Sequence, residues 1–171
     1  QPLSTDLLKI FYKRPEENMF DILVYLFETY AQPGAFPKME TLARKLSAVG
    51  FEEGDISAAL EWLSGLESLG ERGLHDGFGA AAQRVYCAVE TAKLPVECRS
   101  FLYFLENAGA INSMLREMIV ESAMALRETS VPLDKLKIIV LMVLWRRHEP
   151  VDMLLLEELL SAEDEQPSFI H

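Results

Sequence analysis

The most constraining feature of the sequence is a run of eight consecutive apolar residues, 138–145. A membrane-spanning helix needs about 20 apolar residues, so this run is too short to cross a bilayer. It predicts a buried core helix with Pro132 in its first turn and its end enforced by Pro150. A helix of this kind needs other helices packed around it.

The rest of the chain supplies such helices, because apolar residues recur every three or four positions. The first predicted helix ends at Pro15, the next begins at the N-cap Asn18, and Gly50 and Gly109 each end a helix. Only residues 84–89 have strand-like composition. We therefore predict an all-α helical bundle with one short strand-like segment. The predicted helices span residues 3–12, 18–27, 39–49, 56–66, 94–105, 113–126, 133–145 and 151–160.

A stretch rich in glycine and alanine, which includes Gly70, Gly73, Gly77 and Gly79, divides the chain. Such a composition is typical of a flexible linker. We predict two small helical subdomains joined by this linker and followed by an acidic tail. The predicted ranges are 19–69 and 84–160 for the subdomains, 70–83 for the linker and 161–171 for the tail.

The charge of the chain limits its partners. It carries 27 acidic and 16 basic residues, for a net charge of −11, and residues 149–171 contain seven acidic residues and no basic one. Such a charge opposes binding to nucleic acids and to anionic membranes, so we predict no membrane partner. Leu7 and Leu8 are followed at once by Lys9, which argues against an export signal. The sequence thus predicts a cytoplasmic protein.

No set of residues has the spacing of a catalytic, metal or cofactor site. Cys87 and Cys98 lack a nearby second ligand and are predicted to be packing thiols. His75 beside Asp76 is too common a pair to indicate catalysis. The glycines of residues 73–79 do not follow a strand and precede a helix as a phosphate-binding loop does. We therefore predict no catalytic residue, no metal and no cofactor.

Two helices joined by a short glycine-containing turn over residues 39–63 have the outline of a helix-turn-helix. With residues 84–89 as a wing strand, one interpretation of the N-terminal half of the chain is a degenerate winged-helix-like arrangement. DNA readout by the second helix is disfavoured, because it carries carboxylates and no lysine or arginine. These carboxylates are Glu52, Glu53, Asp55, Glu61 and Glu67.

Basic residues are more frequent in the C-terminal helices, which predicts a candidate interaction face for an acidic partner or a nucleic acid. The alternative is ordinary solvated charge at helix surfaces and ends. Tyr103 and Trp145 have apolar neighbours and are predicted to lie in the core. The candidate face consists of Arg99, Arg116, Lys135, Lys137, Arg146 and Arg147, with Arg127 nearby in sequence.

The chain contains, in order, eight segments that carry a resemblance to a known family: 19–30, 50–51, 59–63, 84–86 with Pro95, 99–106, 116–121, 136–137 and 141–145. These segments resemble the bacterial Smg protein family. The resemblance implies no activity, cofactor or catalytic residue. Family members usually begin at the methionine that matches Met19, so residues 1–18 form an N-terminal extension outside the match. Members are often encoded beside a DNA-processing protein.

Two hypotheses about function from different classes follow. The first is a non-enzymatic cytoplasmic interaction or regulatory protein with a protein partner. The reason is that the sequence predicts many helical faces and contains no catalytic arrangement of residues. The alternative is a nucleic-acid-associated factor that binds through the local basic face, although the net charge disfavours it. An enzyme is the third interpretation.

Overall fold

The computed structural model describes residues 15–32, 34, 36–72 and 84–161, with side chains from Met19 onward. Over these residues the chain forms helices and no strand, which confirms the all-α fold. No helix in these ranges has the length and apolar content needed to cross a membrane. The helices are α1 (Pro15–Tyr30), α2 (Met39–Val49), α3 (Glu53–Glu71), α4 (Ala88–Lys93), α5 (Val96–Asn107), α6 (Ser113–Met124), α7 (Leu133–Arg146) and α8 (Met153–Leu160).

The start of α1 corrects the sequence prediction. The helix begins at Pro15, so Asn18 lies inside it and does not cap it. Proline is well tolerated at a first helical position, because its missing N–H would have no helical partner there. The helix predicted over residues 3–12 lies outside the described residues, as do the linker segment 73–83 and the tail from residue 162 onward.

The chain divides into two compact units, one ending at Ser64 and the other beginning at Gly65, within α3. In the first unit Ile22, Leu23 and Leu26 of α1 are fully buried, together with Leu42 and Leu46 of α2. Their spacing of three and four residues places them on one side of each helix.

The end of α2 matches its prediction. Gly50 has a φ of 113°, and the Phe51 N–H donates to the Leu46 carbonyl at 3.2 Å. This pattern is a Schellman motif, which glycine favours because it lacks a Cβ. The Phe51 ring then packs edge-on against Tyr25, with the ring centroids 5.5 Å apart. Val49, the last residue of α2, is exposed.

The second unit is built around α7. Eight of its residues are buried, and at 100° per residue they surround the helix except for a sector of about 100° that contains the partly exposed Ile138 and Trp145. The predicted buried core helix is therefore confirmed. Helices α5, α6 and α8 pack against it. Asn112 caps α6 by accepting a hydrogen bond from the Leu115 N–H at 2.9 Å.

His148 ends α7 in a conformation that is unfavourable for its side chain. Its φ is 56°, the Glu149 N–H donates to the Leu144 carbonyl, and the His148 N–H donates to the Trp145 carbonyl. This is again a Schellman motif, but with histidine in the position that glycine favours.

We therefore expect His148→Gly to stabilise the protein by about 0.5–1 kcal/mol, because glycine has no Cβ to strain in the left-handed region. Urea unfolding of both proteins measures the difference. His148→Ala is the control, since alanine keeps the Cβ and should give no gain. An equal gain from both variants would show that loss of the imidazole, not relief of strain, is the cause.

The strand predicted at residues 84–89 does not form. Residues 84–87 belong to no regular element, and Ala88 already begins α4. The Cys87 N–H donates to the Glu90 side chain at 3.0 Å, which helps α4 to begin there. A winged-helix arrangement thus has no wing strand within residues 84–161, although α2 and α3 are joined by a short turn as predicted.

Candidate interaction surface

Arg116, one of the predicted interaction residues, is buried within a cluster of charges. Its Nη1 donates to both carboxylate oxygens of Glu106, at 2.7 and 2.8 Å. Its Nε and Nη2 donate to Oε1 of Glu117, at 3.2 and 3.1 Å. Only 6% of the Arg116 side chain is exposed. These contacts satisfy the guanidinium within the protein and join α5 to α6.

Arg84 extends this cluster to the segment that precedes α4. Its Nη1 and Nη2 donate to the two oxygens of Glu90, at 2.9 and 2.8 Å. Its Nε and Nη2 also donate to Glu117, at 2.5 and 3.0 Å. The Tyr86 ring lies below the guanidinium, 4.4 Å away, and burial raises the pKa of the Tyr86 hydroxyl. The charge cluster, Arg84, Glu90, Glu106, Arg116 and Glu117, thus holds the 84–87 segment against α6.

The charge cluster makes stability depend on pH. The hydrogen bonds from Arg84 lower the pKa of Glu90 from 4.5 to about 2. Because the folded pKa lies below the unfolded one, the contribution of Glu90 is complete above about pH 5 and is lost as the pH falls towards 2.

We therefore expect the difference in unfolding free energy between the protein and Glu90→Gln to be constant above about pH 5 and to shrink between pH 5 and pH 2. Denaturant titrations at several pH values measure it. In an Arg84→Met background the same comparison should lose most of its pH dependence. An unchanged dependence in that background would refute Arg84 as the cause.

Lys137, a second predicted residue, is also buried and is 7% exposed. Its Nζ lies 2.9 Å from a carboxylate oxygen of Glu158 and donates to the Ser161 hydroxyl at 3.1 Å. It also lies 5.7 Å from the ring centroid of Phe101. Lys137 therefore contacts both α5 and α8 from its position on α7.

Lys135 and Arg99 likewise have partners within the protein. Lys135 pairs with Glu128 at 2.9 Å, and only 15% of each side chain is exposed. The Arg99 Nε donates to the Leu94 carbonyl at 3.1 Å. Each cation therefore holds a neighbouring segment of its own unit.

Arg146 and Arg147 lie at the end of α7, beside the last two turns of α3. Arg146 pairs with Glu67 at 2.6 Å. Arg147 is exposed and has no carboxylate partner within the described residues. A Cβ added to Gly70 would lie only 2.8 Å from the Arg147 Nη1, so a glycine at that position makes room for the arginine. Gly70, Arg146 and Arg147 line an open pocket of about 370 Å³.

The structure does not bring the six predicted residues together on one helix face. Lys137 and Arg146 are nine residues apart on α7, about two and a half turns, so they point to opposite sides of the helix. Arg116 lies on α6 and Arg99 at the start of α5. Of the six side chains, that of Arg147 is the one with no carbonyl or carboxylate partner within the described residues.

A surface that sequence reasoning missed lies on α5. Val96, Tyr103 and Phe104 are 60%, 56% and 61% exposed. With Ser100 and Asn107, which are also exposed, they fall within one arc of the helix. We call these five residues the α5 face. The prediction that Tyr103 lies in the core was wrong, because Tyr103 points away from the helix side that carries the buried residues.

A signal for the α5 face was present in the sequence. Cys98, Leu102 and Leu105 fill the buried side of α5. On a helical wheel Tyr103 and Phe104 fall outside this buried side, so they could not both lie in the core that Cys98, Leu102 and Leu105 contact. Trp145, also predicted to be core, is partly exposed, and the Arg146 guanidinium lies 5.3 Å from its ring centroid.

The two cysteines differ from each other. Cys98 is buried and its Sγ donates to the Val131 carbonyl at 3.2 Å, as expected of a packing thiol. Cys87 is exposed, so its predicted burial was wrong. Cys87 lies in an irregular segment, and its backbone N–H donates to Glu90.

Within the described ranges no three His, Cys, Asp or Glu side chains are grouped to hold a metal ion. His75 and Asp76 lie outside those ranges.

Comparisons with known proteins give consistent results. A family described as "Protein of unknown function (DUF494)" matches residues 19–170. The chain is 52% identical over 148 residues to the Protein Smg homolog of Aromatoleum aromaticum, covering 86% of this chain and 96% of that protein. It is 44% identical over 158 residues to the Protein Smg homolog of Herminiimonas arsenicoxydans, covering 90% of this chain and all of that protein. No solved structure matches the chain. The chain therefore belongs to the Smg protein family.

Proposed function

We propose that this protein acts by binding a partner protein through the α5 face, as a cytoplasmic interaction or regulatory protein without catalysis of its own. The observation that carries the proposal is the exposure of Tyr103 and Phe104 next to each other on one helix. Aromatic residues are enriched in the buried centres of protein interfaces.

The energetic argument concerns the area that a partner would cover. An aromatic side chain buries about 150–250 Å², and more than half of Tyr103 and Phe104 remains exposed. Covering about 100 Å² of each would contribute about 2.5 kcal/mol per residue before the costs of association. Two adjacent anchors of this size are typical of an interface centre.

The charge around the α5 face favours a protein over a nucleic acid. Single-stranded nucleic acids stack on aromatic side chains only where cations also meet the backbone. Glu97 is exposed at the edge of the α5 face, and the one cation of α5, Arg99, donates to a backbone carbonyl. A cytoplasmic location is supported by Cys87 and Cys98, which form no disulfide bond.

The test is site-specific photocrosslinking in living cells. A photoreactive residue at position 104 should give one discrete crosslinked protein, and the same residue at position 49 should not, although Val49 is similarly exposed. Tyr103→Glu should abolish the product, because it places a charge in the buried centre of the interface. Equal products from positions 104 and 49, or none at all, would refute the proposal.

The same cells test the alternative of a nucleic-acid-associated factor. Bound nucleic acid is recovered in parallel from the protein and from the double variant Arg146→Glu with Arg147→Glu. Recovery of nucleic acid that this variant abolishes would favour the alternative, since these cations lie at one end of α7. Unchanged recovery with the double variant would exclude the alternative.

A further inference from the structure

A second apolar surface lies on α8, at the C-terminal end of the described chain. Met153 is 68% exposed, Leu154 is 78% exposed and Leu160 is 43% exposed. Residues 153, 157 and 160 are spaced by four and three positions, so they share one side of the helix, with Leu154 beside them. We call Met153, Leu154, Glu157 and Leu160 the α8 face.

Helix α8 is held firmly in place, so the α8 face has a defined geometry. The Asp152 carboxylate caps the helix by accepting from the Leu155 N–H at 2.8 Å. On the opposite side Leu159 is 1% exposed, and Glu158 pairs with the buried Lys137 at 2.9 Å. An ordered docking surface loses less conformational entropy on binding than a flexible one.

The charge of the α8 face defines the chemistry of its partner. Glu157 is exposed between the apolar side chains, and no cation pairs with it within the described residues. Residues 149–171 carry seven carboxylates and no basic residue. A nucleic acid or an anionic membrane would be repelled by this charge, and an acidic protein segment would be repelled as well.

We propose that the α8 face docks a basic amphipathic helical segment of a partner protein. Apolar side chains of that segment cover Met153, Leu154 and Leu160, and a lysine or arginine pairs with Glu157. Amphipathic helices bind apolar surfaces in this way through anchors at helical spacing. The residues involved differ from those of the α5 face, so either proposal can fail without the other.

The experiment uses the full chain and a synthetic leucine–lysine peptide whose leucines fall on one face of a helix. Binding is measured by fluorescence anisotropy of the labelled peptide. A peptide of the same composition with its leucines scattered around the helix is the control for charge alone. We expect the amphipathic peptide to bind at least about tenfold more tightly than the scattered one, because only the former presents an apolar face.

Matched variants locate the binding. Leu154→Ser and Glu157→Lys should each weaken binding by about tenfold, through lost apolar contact and lost charge attraction. The controls are Val49→Ser and Glu61→Lys, at exposed positions of the other unit, and we expect them to change the affinity by less than about twofold. Equal loss from Glu61→Lys and Glu157→Lys, equal binding of both peptides, or no binding at all would each overturn the proposal.

Discussion

Leu141→Ala is expected to lower the free energy of unfolding by about 3–4 kcal/mol. Leu141 is fully buried, and so are the residues that follow it as far as Leu144. Removing its isobutyl group therefore deletes contacts and leaves a cavity that neighbouring helices can close only in part. Because a domain of this size is stable by only about 5–15 kcal/mol, the loss is a large share of the total.

Urea unfolding followed by circular dichroism measures this effect, with the slope m reported beside the midpoint. Leu154→Ala is the matched control, since it is the same substitution at a position that is 78% exposed. We expect it to change stability by less than about 0.5 kcal/mol. Similar losses from both variants would contradict the central position of α7, because alanine has the higher helix propensity and propensity therefore cannot account for a loss.

Those elements whose causes are local could be predicted from the sequence. Gly50 ends α2 because a left-handed residue is needed there. The apolar run predicts a buried core helix, and eight residues of α7 are buried. In each case the information lies within one helix and its ends.

Features that depend on distant residues could not be predicted in this way. Residues 84–87 have strand-like composition, but Arg84 pairs with Glu117, which lies 33 positions further along the chain. Those ion pairs, together with the Cys87 contact to Glu90, leave the segment irregular. In this segment tertiary contacts therefore outweigh the local β propensity of the residues.

The same limit applies to the candidate surfaces. The sequence shows that the C-terminal helices carry cations, but not that Arg116 faces Glu106 across two helices or that Lys137 is covered by α8. Charge patterning alone therefore overstated the basic surface. The α5 face was missed because its aromatic residues lie next to apolar residues in sequence, while the helical period separates them in space.

Replacing Arg116 by methionine is expected to destabilise the protein by about 2–3 kcal/mol. The charge cluster holds two cations and three carboxylates. Without Arg116, Glu106 loses its bidentate partner and Glu117 keeps only Arg84. The cost stays below that of a fully buried pair, because the Glu106 and Glu117 side chains are 31% and 32% exposed and water can solvate them in part.

A double-mutant cycle separates charge from packing in this effect. Glu106→Gln combined with Arg116→Met should be about 1 kcal/mol more stable than the sum of the two single effects predicts, since removing the carboxylate relieves the unpaired charge. Arg127→Met is the control at an exposed position and should cost less than about 0.5 kcal/mol. Strict additivity in the cycle would show no net coupling between Arg116 and Glu106, and the loss on replacing Arg116 would then come from its contacts with Glu117 and from packing.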